Sequence, residues 1–134
     1  MHSSSEKETR AIAADLVAHL APGHVVLLEG PLGAGKTAFV RGFLEALGYE
    51  GPVRSPTFNL IQTFDSTPPV MHADLYRLRD WQGIGLEDYL ETHICFIEWP
   101  DRADGLVDED RAWHVAIRFH GEGRLIDIAK PRRF

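Results

Sequence analysis

The chain has a single cysteine, Cys95, in 134 residues. It can close no disulfide of its own, so packing has to hold the fold, and a reducing cytoplasm is the expected setting. No apolar run approaches the ~20 residues that cross a bilayer. The opening Met1-His2-Ser3-Ser4-Ser5 is polar and lacks the hydrophobic centre of a signal peptide, so no membrane partner is expected. Positive charge is also scarce: 14 Lys and Arg stand against 20 Asp and Glu, a net −6. A chain that grips nucleic acid unaided needs the opposite balance. No Cys/His cluster has metal-ligand spacing, and no Gly-x-Ser-x-Gly turn marks a serine hydrolase. What remains is ordinary globular composition, 44% apolar and 25% charged, in one expected domain over residues 1–134.

Against that background one stretch stands out, Gly30-Pro31-Leu32-Gly33-Ala34-Gly35-Lys36-Thr37. It fits G-x-x-x-x-G-K-[ST], a pattern that a random chain of this length matches on the order of once in a few hundred times. It follows the apolar run Val25-Val26-Leu27-Leu28 and precedes the helical pattern Phe39, Val40, Phe43, Leu44 and Leu47, so it lies between strand and helix as a phosphate-binding loop must. Backbone N–H groups of such a loop and the helix start face the phosphates. Lys36 would reach the β- and γ-phosphates, and the Thr37 hydroxyl would ligate Mg²⁺.

The rest reads as α/β, a three-layer fold of P-loop type whose mostly parallel sheet carries added antiparallel strands. Ser5 and Glu8 form a capping box for a helix bearing Ile12, Leu16 and Leu20, which Ala21-Pro22-Gly23 ends. Gly48 sits where the second helix needs a left-handed C-terminal residue. Strands are expected over Phe58–Phe64 and Val70–Asp74 as a hairpin, over Ile94–Ile97, and over Trp113–His120 turning at Gly121-Glu122-Gly123 into Arg124–Ala129. A short helix is expected around Leu86, Tyr89 and Leu90.

A phosphate loop needs a further acid to organise Mg²⁺, usually at the end of a buried strand. Asp74 and Glu98 both qualify, and each could instead pair with an arginine such as Arg77 or Arg102. Thr57 lies in a proline-stiffened loop placed as a switch loop would be, though a threonine there can also cap a strand. Arg124, Arg77 and Arg79 are candidate cations for the phosphates. Trp99 is core or an aromatic surface near the nucleotide. His72 interrupts an apolar strand and reads as a hydrogen-bonded core histidine rather than a metal ligand. Cys95, between Ile94 and Phe96, reads as inert. Asn59 is the sole asparagine, which excludes the Asn-Lys-x-Asp guanine-reading motif. The length leaves little for the lid and acceptor pocket of a small-molecule kinase, so a minimal ATPase remains.

Four motifs in series sharpen this: GPLGAGKT at Gly30–Thr37, SPTF at Ser55–Phe58, HADLYRL at His72–Leu78 and IEWP at Ile97–Pro100. In this order and spacing the chain resembles the TsaE (YjeE) family, bacterial ATPases that support threonylcarbamoyladenosine (t6A) formation in tRNA. The resemblance runs from the first helix to the last hairpin. It implies ATP phosphates at Gly33, Ala34, Gly35, Lys36 and Thr37, and Mg²⁺ at Thr37 and Glu98. Asp74 would be the acid near the metal and the attacking water, and Thr57 the switch residue. Further nucleotide contacts would come from Lys7 to Thr9, with Thr9 foremost, and from Arg124. Two positions depart from the family: Pro31 where Asp is usual, and Ala38 where a second Thr is common. The implied partner is the TsaB–TsaD pair, with tRNA met through that complex and the basic tail Lys130–Phe134 at most an auxiliary contact. Two other readings are a small-metabolite kinase and a nucleotide-gated adaptor that needs no hydrolysis.

Overall fold

The computed structural model describes residues 1–53, 60–75, 85–98 and 107–133. The buried run Val25–Leu28 forms β2 (Val25–Glu29), and six further strands join it: β1 (His2–Ser3), β3 (Ile61–Phe64), β4 (Val70–Asp74), β5 (Ile94–Glu98), β6 (Trp113–His120) and β7 (Gly123–Ala129). They make one sheet in the order β1-β7-β6-β2-β5-β4-β3. Its centre, β6-β2-β5-β4, is parallel. The outer strands pair antiparallel, β3 on β4, β7 on β6 and β1 on β7. The fold is therefore α/β with a parallel centre and antiparallel additions.

Residues of β2 alternate between two apolar layers, which is why the strand reads as an unbroken hydrophobic run. Val26 and Leu28 face the helices with Phe39, Phe43 and Phe96, while Val25 and Leu27 face the other side with Met71, Cys95 and Ile97. Each such side chain, removed from water, contributes roughly 1.5–3 kcal/mol. Among the described residues, α1 (Glu6–Ala14) and α2 (Lys36–Ala46) both lie on the first face, and a 3-10 turn at Leu86–Tyr89 packs on the second.

The first helix is shorter than its spacing predicts. It is α-helical only to Ala14 and tightens into a 3-10 turn at Asp15–Ala18. Leu16 and Leu20 are buried all the same, so the tighter winding keeps the apolar side intact. The N-cap forms as expected, with Ser5 Oγ accepting from Glu8 N at 3.1 Å. The reciprocal arm differs: the Glu8 carboxylate accepts from Ser4 N and Ser4 Oγ instead of the Ser5 N–H. The second helix ends as its sequence directs. Gly48 has φ +87°, its N–H reaches Glu45 O at 2.9 Å, and Tyr49 N reaches Leu44 O at 3.0 Å, the paired bonds of a Schellman motif. The two helices cross where α2 has no side chain. A Cβ at Gly42 would stand 2.5 Å from the Arg10 backbone.

Candidate functional site

Parallel strands deliver their carboxyl ends to one edge, and Lys36, Thr37, Asp74 and Glu98 meet there. Between β2 and α2 the chain turns through Gly33 (φ +79°) and Gly35 (φ +113°), left-handed values that cost glycine little. Gly35 is the N-cap of α2 and offers no capping side chain. The first N–H groups of α2 therefore face the loop uncapped, with the positive end of the helix dipole behind them. Gly30 is fixed for a different reason: a Cβ there would lie 2.5 Å from the Ile117 carbonyl oxygen of β6.

Lys36, the first residue of α2, is 6% exposed. Its Nζ donates to Gly30 O at 2.6 Å and lies 3.4 Å from Glu98 Oε1. Glu98, at the end of β5, is 4% exposed, and its other oxygen meets His72 Nε2 at 2.5 Å. His72 is wholly buried in β4, two residues before Asp74. Burial alone would raise the Glu98 carboxyl, but the His72 hydrogen bond and charge, with the nearby Lys36 ammonium, outweigh it and hold it below the usual carboxylate range. The glutamate is thus an ionised group in a nearly dry place.

Asp74 stands in register with Glu98 on the adjacent strand, so both carboxylates leave the same face. Asp74, Glu98, Thr37 and Lys36 line a cleft of about 200 Å³ along one side of the loop. The oxygen donors Thr37, Asp74 and Glu98 suit a hard cation such as Mg²⁺. Among the described residues no three His, Cys, Asp or Glu side chains form a metal cluster.

On the other side of the loop, Ser3, Ser5, Glu6, Ala34, Gly123 and Arg124 line a second cleft of about 300 Å³, with Gly33, Gly35 and Ala38 shared between the two. Arg124 of β7 binds the loop from outside. Its Nε donates to Ala34 O at 3.0 Å and its Nη2 to Gly33 O at 3.3 Å, while the guanidinium lies 4.5 Å from the centre of the Phe119 ring. Thr9 comes to the same place with its hydroxyl already engaged by Ser3 Oγ at 2.8 Å, and its methyl faces Gly35. Ser3 and Glu6 were not singled out from sequence and Ser5 only as an N-cap; the two residues of β1, His2 and Ser3, carry no periodicity that would announce a strand. Thr57, Trp99, Arg77, Arg79 and Arg102 lie outside the described residues. In the basic tail, Arg133 is committed to Asp108 at 2.7 Å. No helix among the described residues is long and apolar enough to cross a membrane.

Comparison with known proteins gives concordant results. The family profile described as "Threonylcarbamoyl adenosine biosynthesis protein TsaE" matches residues 3–126. A tRNA threonylcarbamoyladenosine biosynthesis protein TsaE of Bacillus subtilis is 41% identical over 123 residues, covering 90% of this chain and 78% of that protein. One of Haemophilus influenzae is 36% identical over 115 residues, covering 82% and 72%. A crystal structure of Bacillus subtilis YdiB superposes with a TM-score of 0.83 at 31% identity, covering 98% of this chain and 84% of that one.

Proposed function

Because the chain belongs to the TsaE family of threonylcarbamoyladenosine biosynthesis proteins, we propose that it binds and hydrolyses ATP with Mg²⁺ in support of t6A formation in tRNA. The observation that carries this reading is Lys36, a nearly buried ammonium held between the Gly30 carbonyl and Glu98 at the start of α2. Here Glu98 balances that charge. Phosphate oxygens drawn to the uncapped α2 N-terminus compete for the ammonium with the single charge of Glu98.

In this reading Gly33, Gly35 and, on release from Pro31 O, Ala34 present backbone N–H groups to the phosphates, and Lys36 neutralises charge on the β- and γ-groups. Thr37 and Glu98 would hold Mg²⁺, with Asp74 beside them. The metal would supply neutralisation of phosphate charge. Asp74 orients the water whose oxygen bonds to the γ-phosphorus as the bond to the β-phosphate oxygen breaks, leaving ADP, phosphate and a proton. Arg124 borders the second cleft, which takes the nucleoside, with Thr9 behind Ser3 and Gly35, and Thr57 closes as the switch residue. The chain would not transfer threonylcarbamoyl itself. It would act on the TsaB–TsaD pair, with tRNA reached through that complex, as a net charge of −6 favours.

ATP turnover should be slow for the chain alone and rise when the TsaB–TsaD pair is added, because an arginine finger supplied by a partner is what speeds such sites. Turnover indifferent to the pair would argue for an independent kinase or hydrolase. The nucleotide-gated adaptor separates from the ATPase with Glu98→Ala. The ATPase reading expects t6A formation to fail with it, and unimpaired modification without hydrolysis would make the adaptor the right description.

A further inference from the structure

Among the polar groups that the expected chemistry leaves unused, His72 is wholly buried. We infer that His72 is a positioning residue for Glu98, donating from Nε2 to one carboxylate oxygen so that the other oxygen alone faces Lys36 and the phosphate cleft. The inference rests on the nucleotide reading above and concerns how the metal-facing oxygen is held.

The geometry divides the two oxygens of Glu98 between two partners. Oε2 meets His72 Nε2 at 2.5 Å and Oε1 faces Lys36 Nζ at 3.4 Å. An ionised carboxylate can only accept, so the proton of the first bond sits on Nε2. Among the described residues His72 has no comparable tie elsewhere, and its buried Nδ1 finds no hydrogen-bond partner there. Its cross-strand neighbour Gln62 also buries an unpartnered oxygen, Oε1. An imidazole buried among Val70, Met71 and Ala73 of its strand carries a desolvation cost that packing does not explain. The bond to Glu98 accounts for it. Position supports the same role. His72 and Asp74 leave the same face of β4, so one strand supplies both the second acid and the group that orients the first. Without the imidazole, Glu98 at the end of its strand could turn either oxygen toward the cleft, and Lys36 could draw both.

The test is equilibrium titration of a fluorescent ADP analogue, with and without Mg²⁺, into the wild-type chain and into His72→Leu. Wild type should bind the analogue, and Mg²⁺ should tighten it. His72→Leu should match the metal-free affinity within about twofold and lose about tenfold of the Mg²⁺ increment, the usual scale for groups that orient a ligating carboxylate. A full increment in His72→Leu overturns this inference alone, whereas a wild-type chain that binds no nucleotide overturns the nucleotide reading and this inference with it. If His72→Leu does not fold by near-ultraviolet circular dichroism, His72→Gln and His72→Asn decide. The longer amide can place a donor where Nε2 stood and should restore the increment, while the shorter should not. Equal increments in the two reject the positioning role. Nitrogen-15 NMR of the wild-type imidazole should find the proton on Nε2, and a proton on Nδ1 alone would reject it without any variant.

Discussion

Glu98 is nearly buried yet charged, and that gives the protein a pH signature separable from its other carboxylates. Its folded-state pKa lies below the ordinary value of 4.5 through His72 and Lys36. A depressed carboxyl adds stability that is fully present above the unfolded value and is lost as pH falls through the folded one, because the unfolded chain then binds more protons. The stability difference between wild type and Glu98→Gln should therefore be constant from neutrality to about pH 5.5 and shrink below about 4.5. Urea unfolding at pH 7 and pH 3.5 measures it, and a difference independent of pH would mean that Glu98 is not held in this way. The sequence displayed Gly30–Thr37, Asp74 and Glu98 because each is tied to a local pattern, a glycine spacing or the end of an apolar run. It could not display the bond from His72 to Glu98, which spans 26 positions and depends on two strands being neighbours. The hold of Arg124 on the loop, across 90 positions, was hidden for the same reason.

At the scale of elements, the α1–α2 crossing governs how the N-terminal segment meets the phosphate loop. The helices touch through backbone, since Gly42 leaves no room for a methyl group beside Arg10. The ion pairs spanning the crossing, Arg10 with Glu45 and Arg41 with Glu6, are largely exposed and add little. Gly42→Ala should gain helix propensity locally and still destabilise the chain by roughly 1–3 kcal/mol, because overpacking outweighs it. Urea denaturation would show this, and a more stable variant would mean that α1 can shift at no cost. Elements with a strong local signal, such as β2, α2 and the β6–β7 hairpin, were apparent in the chain's periodicity. The short first helix was not, because Leu16 and Leu20 are buried whether the turn is α or 3-10. Strand β1 was not either: two polar-looking residues become a strand only because β7 offers them an edge.

For the molecule as a whole, site and fold should report on each other. Ligand that binds only the native chain adds RT ln(1 + [L]/Kd), about 2.7 kcal/mol at a hundredfold excess over Kd. For a chain of 134 residues that corresponds to a rise in Tm of roughly 10 °C. A thermal scan with Mg²⁺ and ADP should show it, and Lys36→Ala should abolish it; equal shifts in both proteins would place the nucleotide elsewhere. The two glycines that open and centre the loop answer to different constraints. Gly30 is pressed against the Ile117 carbonyl, while nothing lies within 4 Å of the position a Cβ would take on Gly33. A lineage that abandoned its nucleotide would keep the first for the sake of its sheet and let the second drift, at the modest cost of a left-handed non-glycine residue. Pseudogenes and repurposed descendants would thus betray lost chemistry at position 33 long before they betrayed a lost fold at position 30.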